Sequence, residues 1–150
     1  MKKFEMRSDN KMCALKLRDD IEYTSINIMY CLRIEKFYCS NVKCKTFRCF
    51  YCKGLTTLIG VPKNVSDVFD CSSCIGLKTL DGIPTKCNTI IATKCEKLKN
   101  LNPLLKCDVK KVYADKRLLD DYYRKKEIID RVGYEDGMKI VYMMDNLKYI

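Results

Sequence analysis

Apolar side chains recur along this chain at a spacing that fits neither a long helix nor a simple two-sided strand. From Cys44 the run is Cys44-x-x-Phe47-x-Cys49-x-x-Cys52-x-x-Leu55-x-x-Leu58-x-x-Val61-Pro62. Shifted by 22 residues it recurs as Ser66-x-x-Phe69-x-Cys71-x-x-Cys74-x-x-Leu77-x-x-Leu80-x-x-Ile83-Pro84, and by a further 21 as Cys87-x-x-Ile90-x-Ala92-x-x-Cys95-x-x-Leu98-x-x-Leu101-x-x-Leu104. An earlier copy, Tyr23-x-x-Ile26-x-Ile28-x-x-Cys31-x-x-Ile34-x-x-Phe37, precedes these, and a half-copy, Val109-x-x-Val112-x-Ala114, follows them. A unit this short cannot bury its own faces, so a fixed period of this kind means coils stacked into a solenoid. Within each copy the paired apolar positions predict a short strand whose alternate side chains point inward. Pro62 and Pro84 disfavour helix at the residues before them, so the connecting arcs should be irregular or 3₁₀.

Over residues 23–114 the pattern resembles the leucine-rich repeat family, L-x-x-L-x-L-x-x-N/C-x-L. The resemblance implies an α/β repeat fold, a short solenoid with about five parallel strands on its concave side. Cys31, Cys52, Cys74 and Cys95 stand where the family usually carries Asn. A small polar group at that place faces inward and bonds backbone groups of adjacent coils, and a thiol tolerates the burial. Residues 1–22 are expected to form an N-terminal cap, with Met12, Leu15 and Leu17 suited to a strand or turn. Residues 115–150 are expected to form a C-terminal cap. Asp115 can start a helix, Leu118, Leu119, Tyr122, Ile129 and Val132 form its apolar stripe, and Gly133 can end it. From Met138 to Ile150 the chain is apolar enough to pack, but its period does not separate helix from strand.

Composition narrows the chemistry. The 150 residues suit one domain, and they contain no His. That removes Ser-His-Asp and Cys-His engines and every His metal ligand. Adjacent carboxylates at Asp120-Asp121 and Glu135-Asp136 fall in polar cap sequence. A non-catalytic protein without a cofactor is expected. The eleven cysteines cannot all pair within one chain, because the count is odd. The N-terminal residues carry no apolar run of a secretory signal, and no stretch approaches the ~20 apolar residues of a membrane span. Reduced thiols in the cytoplasm are therefore expected. Cys49-x-x-Cys52 and Cys71-x-x-Cys74 also match a zinc-ribbon spacing. Against metal, both pairs occupy the same two slots of the repeat, and Cys31 and Cys95 fill the second slot with Ile28 and Ala92 in the first. A thioredoxin-like reading lacks the helix that should follow the pair. Cys13, Cys39 and Cys107 lie off the ladder and read as surface or loop thiols.

The repeat register also nominates the exposed strand residues. These are Asn27, Met29 and Tyr30 in the first copy, Arg48, Phe50 and Tyr51 in the second, and Asp70, Ser72 and Ser73 in the third. Ile91, Thr93 and Lys94 follow in the fourth, and Tyr113 in the last strand. Aromatics beside Arg are the usual anchors of protein interfaces. A protein partner is thus expected at Tyr30, Arg48, Phe50, Tyr51, Asp70, Ile91, Lys94 and Tyr113, with Tyr30, Phe50, Tyr51 and Ile91 clustered. Charge adds a second candidate partner. Lys+Arg exceeds Asp+Glu by 29 to 19, and residues 41–114 hold 13 basic against 5 acidic groups. Lysines of the outer arc, among them Lys53, Lys63, Lys78, Lys86, Lys97, Lys99 and Lys106, would suit nucleic acid. Short Lys-, Cys- and Tyr-rich chains with this repeat resemble leucine-rich repeat families of large DNA viruses. That resemblance implies a host-cytoplasm partner or a structural adaptor in a virion.

Overall fold

The computed structural model describes residues 1–8 and 11–147. Its strands are β1 (Lys2–Arg7), β2 (Ala14–Lys16), β3 (Glu22–Met29), β4 (Lys36–Tyr38), β5 (Lys43–Phe50), β6 (Asn64–Asp70), β7 (Lys86–Ala92) and β8 (Asp108–Ala114). Two helices follow, α1 (Lys116–Val132) and α2 (Tyr134–Leu147). A six-stranded sheet runs in the order β1-β3-β5-β6-β7-β8 with every pairing parallel. The chain therefore coils, advancing by one strand per turn, and the periodic residues meet across coils. Phe4, Ile26, Phe47, Phe69, Ile90 and Val112 lie opposite one another in register. In that row the Phe47 ring stacks on Phe69 at 5.4 Å. Edge-on against it, 5.6 Å away, lies Phe37 from the arc of the preceding coil.

The outer arcs after Pro62 and Pro84 are irregular turns, as the prolines predict, and one 3₁₀ helix follows at Asn102–Lys106; the short parallel β2–β4 pair in the earlier arcs was not expected. Coils pack so closely there that backbone meets backbone. Gly60 and Gly82 have φ of +92° and +97°, and a Cβ on either would fall 1.9 Å from Phe37 O or 2.4 Å from Leu58 O. Both precede the Val-Pro or Ile-Pro pair of their repeat.

Several expectations need revision. The parallel sheet gains β1 as a sixth strand. Of the proposed cap residues, Leu15 is buried, Leu17 half-buried and Met12 exposed. Val65, not Ser66, lies opposite Cys44 and enters the core, because the β5–β6 register shifts by one residue between Cys44 and Thr46. Cys39 is a core residue rather than a loop thiol, whereas Cys13 is exposed and Cys107 half-buried. The segment from Met138 to Leu147 is helical, part of α2; the last three residues of the predicted tail lie outside the described residues.

Helix α1 closes the last coil with Leu118, Tyr122 and Ile129 buried, but Val132 is left exposed. Gly133, with φ +85°, ends the helix and donates to Ile129 O. One buried position on α1 was not expected. The Lys125 side chain is 1% exposed, and its ammonium lies 2.8 Å from Asp121 and 2.7 Å from Asp145. It also donates to Asn102 Oδ1 at 3.0 Å. The ammonium thus ties the 3₁₀ turn, α1 and α2 together, with all three of its protons directed at oxygen acceptors.

Candidate interaction surface

The bend at each strand exit is built from one repeated backbone device. Tyr30, Tyr51, Ser73 and Lys94 each precede a ladder cysteine, and each holds a left-handed φ of 56° to 59°. A non-glycine residue at that conformation costs roughly 1–2 kcal/mol. The conformation turns the N–H of each residue toward the next coil. Tyr30 N donates to Phe50 O at 3.0 Å, Tyr51 N to Ser72 O at 3.0 Å and Ser73 N to Thr93 O at 2.8 Å. Beyond Lys94 no further coil supplies a carbonyl. The carboxylate of Asp115 takes that role, accepting from Lys94 N at 3.1 Å. Asp115 is the N-cap residue of α1 as expected, but its side chain serves the solenoid rather than the helix.

The cysteines form a second ladder. Cys31 Sγ lies 3.9 Å from Met6 O, Cys52 Sγ 3.7 Å from Ile28 O, Cys74 Sγ 2.8 Å from Cys49 O and Cys95 Sγ 3.2 Å from Cys71 O. Each thiol thus lies within reach of a carbonyl oxygen of the preceding coil, although Cys31 Sγ sits closer, at 3.5 Å, to Met29 O of its own coil. Burial first, then the neighbouring Cys87 and Cys39, pushes the Cys44 thiol up to about 12. Cys52 is pushed up by its hydrogen bond with Cys74 and then by burial. Burial thus favours the neutral thiol at Cys44 and Cys52. Among the described residues no group of three or more Cys, Asp or Glu is placed to hold a metal ion.

Because the two strand-exit bends at Tyr30 and Tyr51 are stacked, they bring three rings together. Tyr30 lies 5.5 Å from Phe50 and 5.4 Å from Tyr51, and Phe50 lies 6.2 Å from Tyr51. Tyr30 is 46% exposed, and Phe50 and Tyr51 are half-buried. Lys53, assigned by sequence to the outer arc, places its ammonium 4.7 Å above the Tyr51 ring. Such a contact is worth about 0.5–1 kcal/mol at an exposed site.

The other nominated residues form a row rather than a cluster. Arg48, Asp70, Ile91 and Tyr113 lie opposite one another on β5, β6, β7 and β8. Arg48 and Asp70 approach to 4.0 Å. Asp70 Oδ1 accepts from Ser72 N at 2.9 Å and from Ser72 Oγ at 2.6 Å. Ile91 does not join the rings, because β6 separates its strand from β5. Ser72 and Ser73 are buried, contrary to the register reading, so the third coil offers little side chain to solvent. Tyr113 is 50% exposed at the far end of the row, and Lys94 is exposed beside it near the start of α1. The outward face of the parallel sheet thus carries an aromatic patch on the early coils and a mixed row, Arg48, Asp70, Ile91 and Tyr113, crossing the later ones. No helix among the described residues is long and apolar enough to cross a membrane. No protein-family model matches the chain, and no curated protein or solved structure is significantly similar to it.

Proposed function

We propose that this chain is a non-catalytic binding module of the leucine-rich repeat type that takes a protein partner on its concave face. The repeat type is supported by the thiol ladder, in which Cys31, Cys52, Cys74 and Cys95 make the inter-coil bonds that Asn makes in that family. The binding role rests on one observation. Two tyrosines occupy left-handed backbone positions where glycine or asparagine would be less strained, and both rings are spent on a solvent-facing cluster with Phe50. Ser73 and Lys94 share the conformation, so it belongs to the repeat; what sets the first two bends apart is that each carries a ring, and with Phe50 these rings suit a preformed anchor for a partner's apolar side chain. The module belongs in a reducing compartment such as the cytoplasm, a reading supported by the odd count of eleven cysteines, most of them buried in the core.

Partner capture with quantitative mass spectrometry, followed by titration of the captured protein, tests this reading. Phe50→Ala with Tyr51→Ala should weaken binding at least 30-fold, since a hot-spot residue contributes about 2 kcal/mol or more. Tyr123→Ala, on an exposed part of α1, should leave affinity unchanged. An unaltered affinity in the double variant, or an equal loss in the control, would remove the concave face from the account.

A further inference from the structure

The opposite ends of the same strands carry a different surface. A groove of about 630 Å³ crosses the strand starts from β3 to β8, and Lys43, Lys45, Lys63, Lys86 and Lys110 line it. Only two carboxylates, Glu22 and Asp108, share the lining, which leaves it three positive charges in excess (five minus two). Asp108 faces Lys86 at 4.0 Å. Among the described residues, no carboxylate lies within ion-pair distance of Lys43, Lys45, Lys63 or Lys110. Lys63 is oriented by donating to Gly82 O at 2.6 Å, which holds one ammonium at the rim.

Stacking creates this concentration of charge. Each coil contributes the outward residues at the start of its strand, and coils follow one another at about 4.8 Å. Lysines far apart in sequence thereby form one strip about 14 Å long over the three intervals from β5 to β8. Asn64 adds an amide donor to the lining, and Asn88 a second whose Nδ2 also donates to Asp67 Oδ1 at 3.4 Å. Tyr23, Cys44, Val65 and Cys87 form a buried floor. Apart from Met1, every exposed side chain of the lining is polar or charged.

We infer that this groove binds the sugar–phosphate backbone of single-stranded nucleic acid, without reading its sequence. Unneutralised lysines interspersed with amide donors suit phosphate and sugar oxygens. An acidic peptide of matching charge is the competing occupant, and displacement by poly-glutamate separates the two. No exposed aromatic side chain lines it, so bases find no stacking platform and remain in solvent. The site lies about 20 Å along the strands from the aromatic patch, and it does not depend on that patch's role.

Fluorescence anisotropy with a labelled oligothymidylate of about 20 nucleotides tests the inference. Four lysines without carboxylate partners should give a slope of log affinity against log salt of about −3. Lys43→Gln, Lys45→Gln and Lys110→Gln together should bring that slope to about −1 and weaken binding about 100-fold at about 0.1 M salt. A control triple, Lys78→Gln, Lys97→Gln and Lys99→Gln, removes the same charge outside the groove and should change affinity less than about threefold. Phe50→Ala with Tyr51→Ala should leave oligonucleotide binding unchanged, which separates this site from the protein-binding patch. Equal weakening by the two lysine triples would show attraction by net charge alone and overturn the site. Displacement of the oligonucleotide by poly-glutamate of equal charge at equal concentration would overturn the assignment to nucleic acid.

Discussion

Phe47→Ala is expected to lower the folding free energy by about 3–5 kcal/mol, a large part of the stability of a domain this size. The ring is fully buried at the middle of the inward row. Phe69 stacks on it from the next coil, Phe37 meets it edge-on from the preceding arc, and Ile26 lies opposite on β3. Truncation removes the contacts of three coils at once. Parallel strands held by a backbone ladder on both sides cannot collapse into the space, so most of the cavity should persist. Phe47→Leu keeps much of the volume and should lose about 1.5 kcal/mol or less. Urea unfolding followed by circular dichroism measures both. A loss for Phe47→Ala within about 0.5 kcal/mol, the range of surface substitutions, would place the ring outside the interior.

Lys125→Ala is expected to lower stability by about 3 kcal/mol. Removing one member of a buried ion cluster leaves the others without compensation, commonly at about 3–5 kcal/mol. The lower end applies here because Asp121 and Asp145 keep 19% and 31% of their side-chain surface exposed and can recover water. Lys125→Met, which preserves packing volume, should lose nearly as much, since the deficit is charge rather than space. Adding Asp121→Asn and Asp145→Asn to Lys125→Met should recover part of the loss by removing the unpaired charges. The damage should be concentrated in the cap, seen as faster amide exchange in α1 and α2 than in β5 and β6. A Lys125→Met variant as stable as the parent would show that the ammonium organises nothing.

The solenoid was legible in sequence because stacking converts a local spacing into long-range contacts. Phe47, Phe69 and Ile90 stand at one slot of the repeat, and register places them opposite one another. The inward cysteines were legible for the same reason. β1 was missed because Phe4 and Met6 offer only two inward positions, 22 residues before Ile26 and Ile28, with no matching arc beside them. The exchange of Val65 for Ser66 came from a one-residue shift absorbed by a bulge, which a fixed count in threes cannot follow. Lys125 was invisible because its i,i+4 pairing with Asp121 reads as an ordinary surface pair, its other partners Asn102 and Asp145 are 23 and 20 residues away, and a helical stripe counts lysine as outward. Within the candidate surface, the Tyr30, Phe50 and Tyr51 cluster followed from register, but Ile91 did not join it. The sequence places Ile91 on the right face without weighing the two strand spacings that separate it from β5.

Side-chain nuclear Overhauser contacts in the inward row test the stacking of coils most directly. The account predicts contacts of Phe47 with Phe69 and with Ile26, contacts of Phe69 with Ile90, and none between Phe47 and Ile90, which lie two strands apart. A direct Phe47–Ile90 contact, or no contact between Phe47 and Phe69, would contradict it.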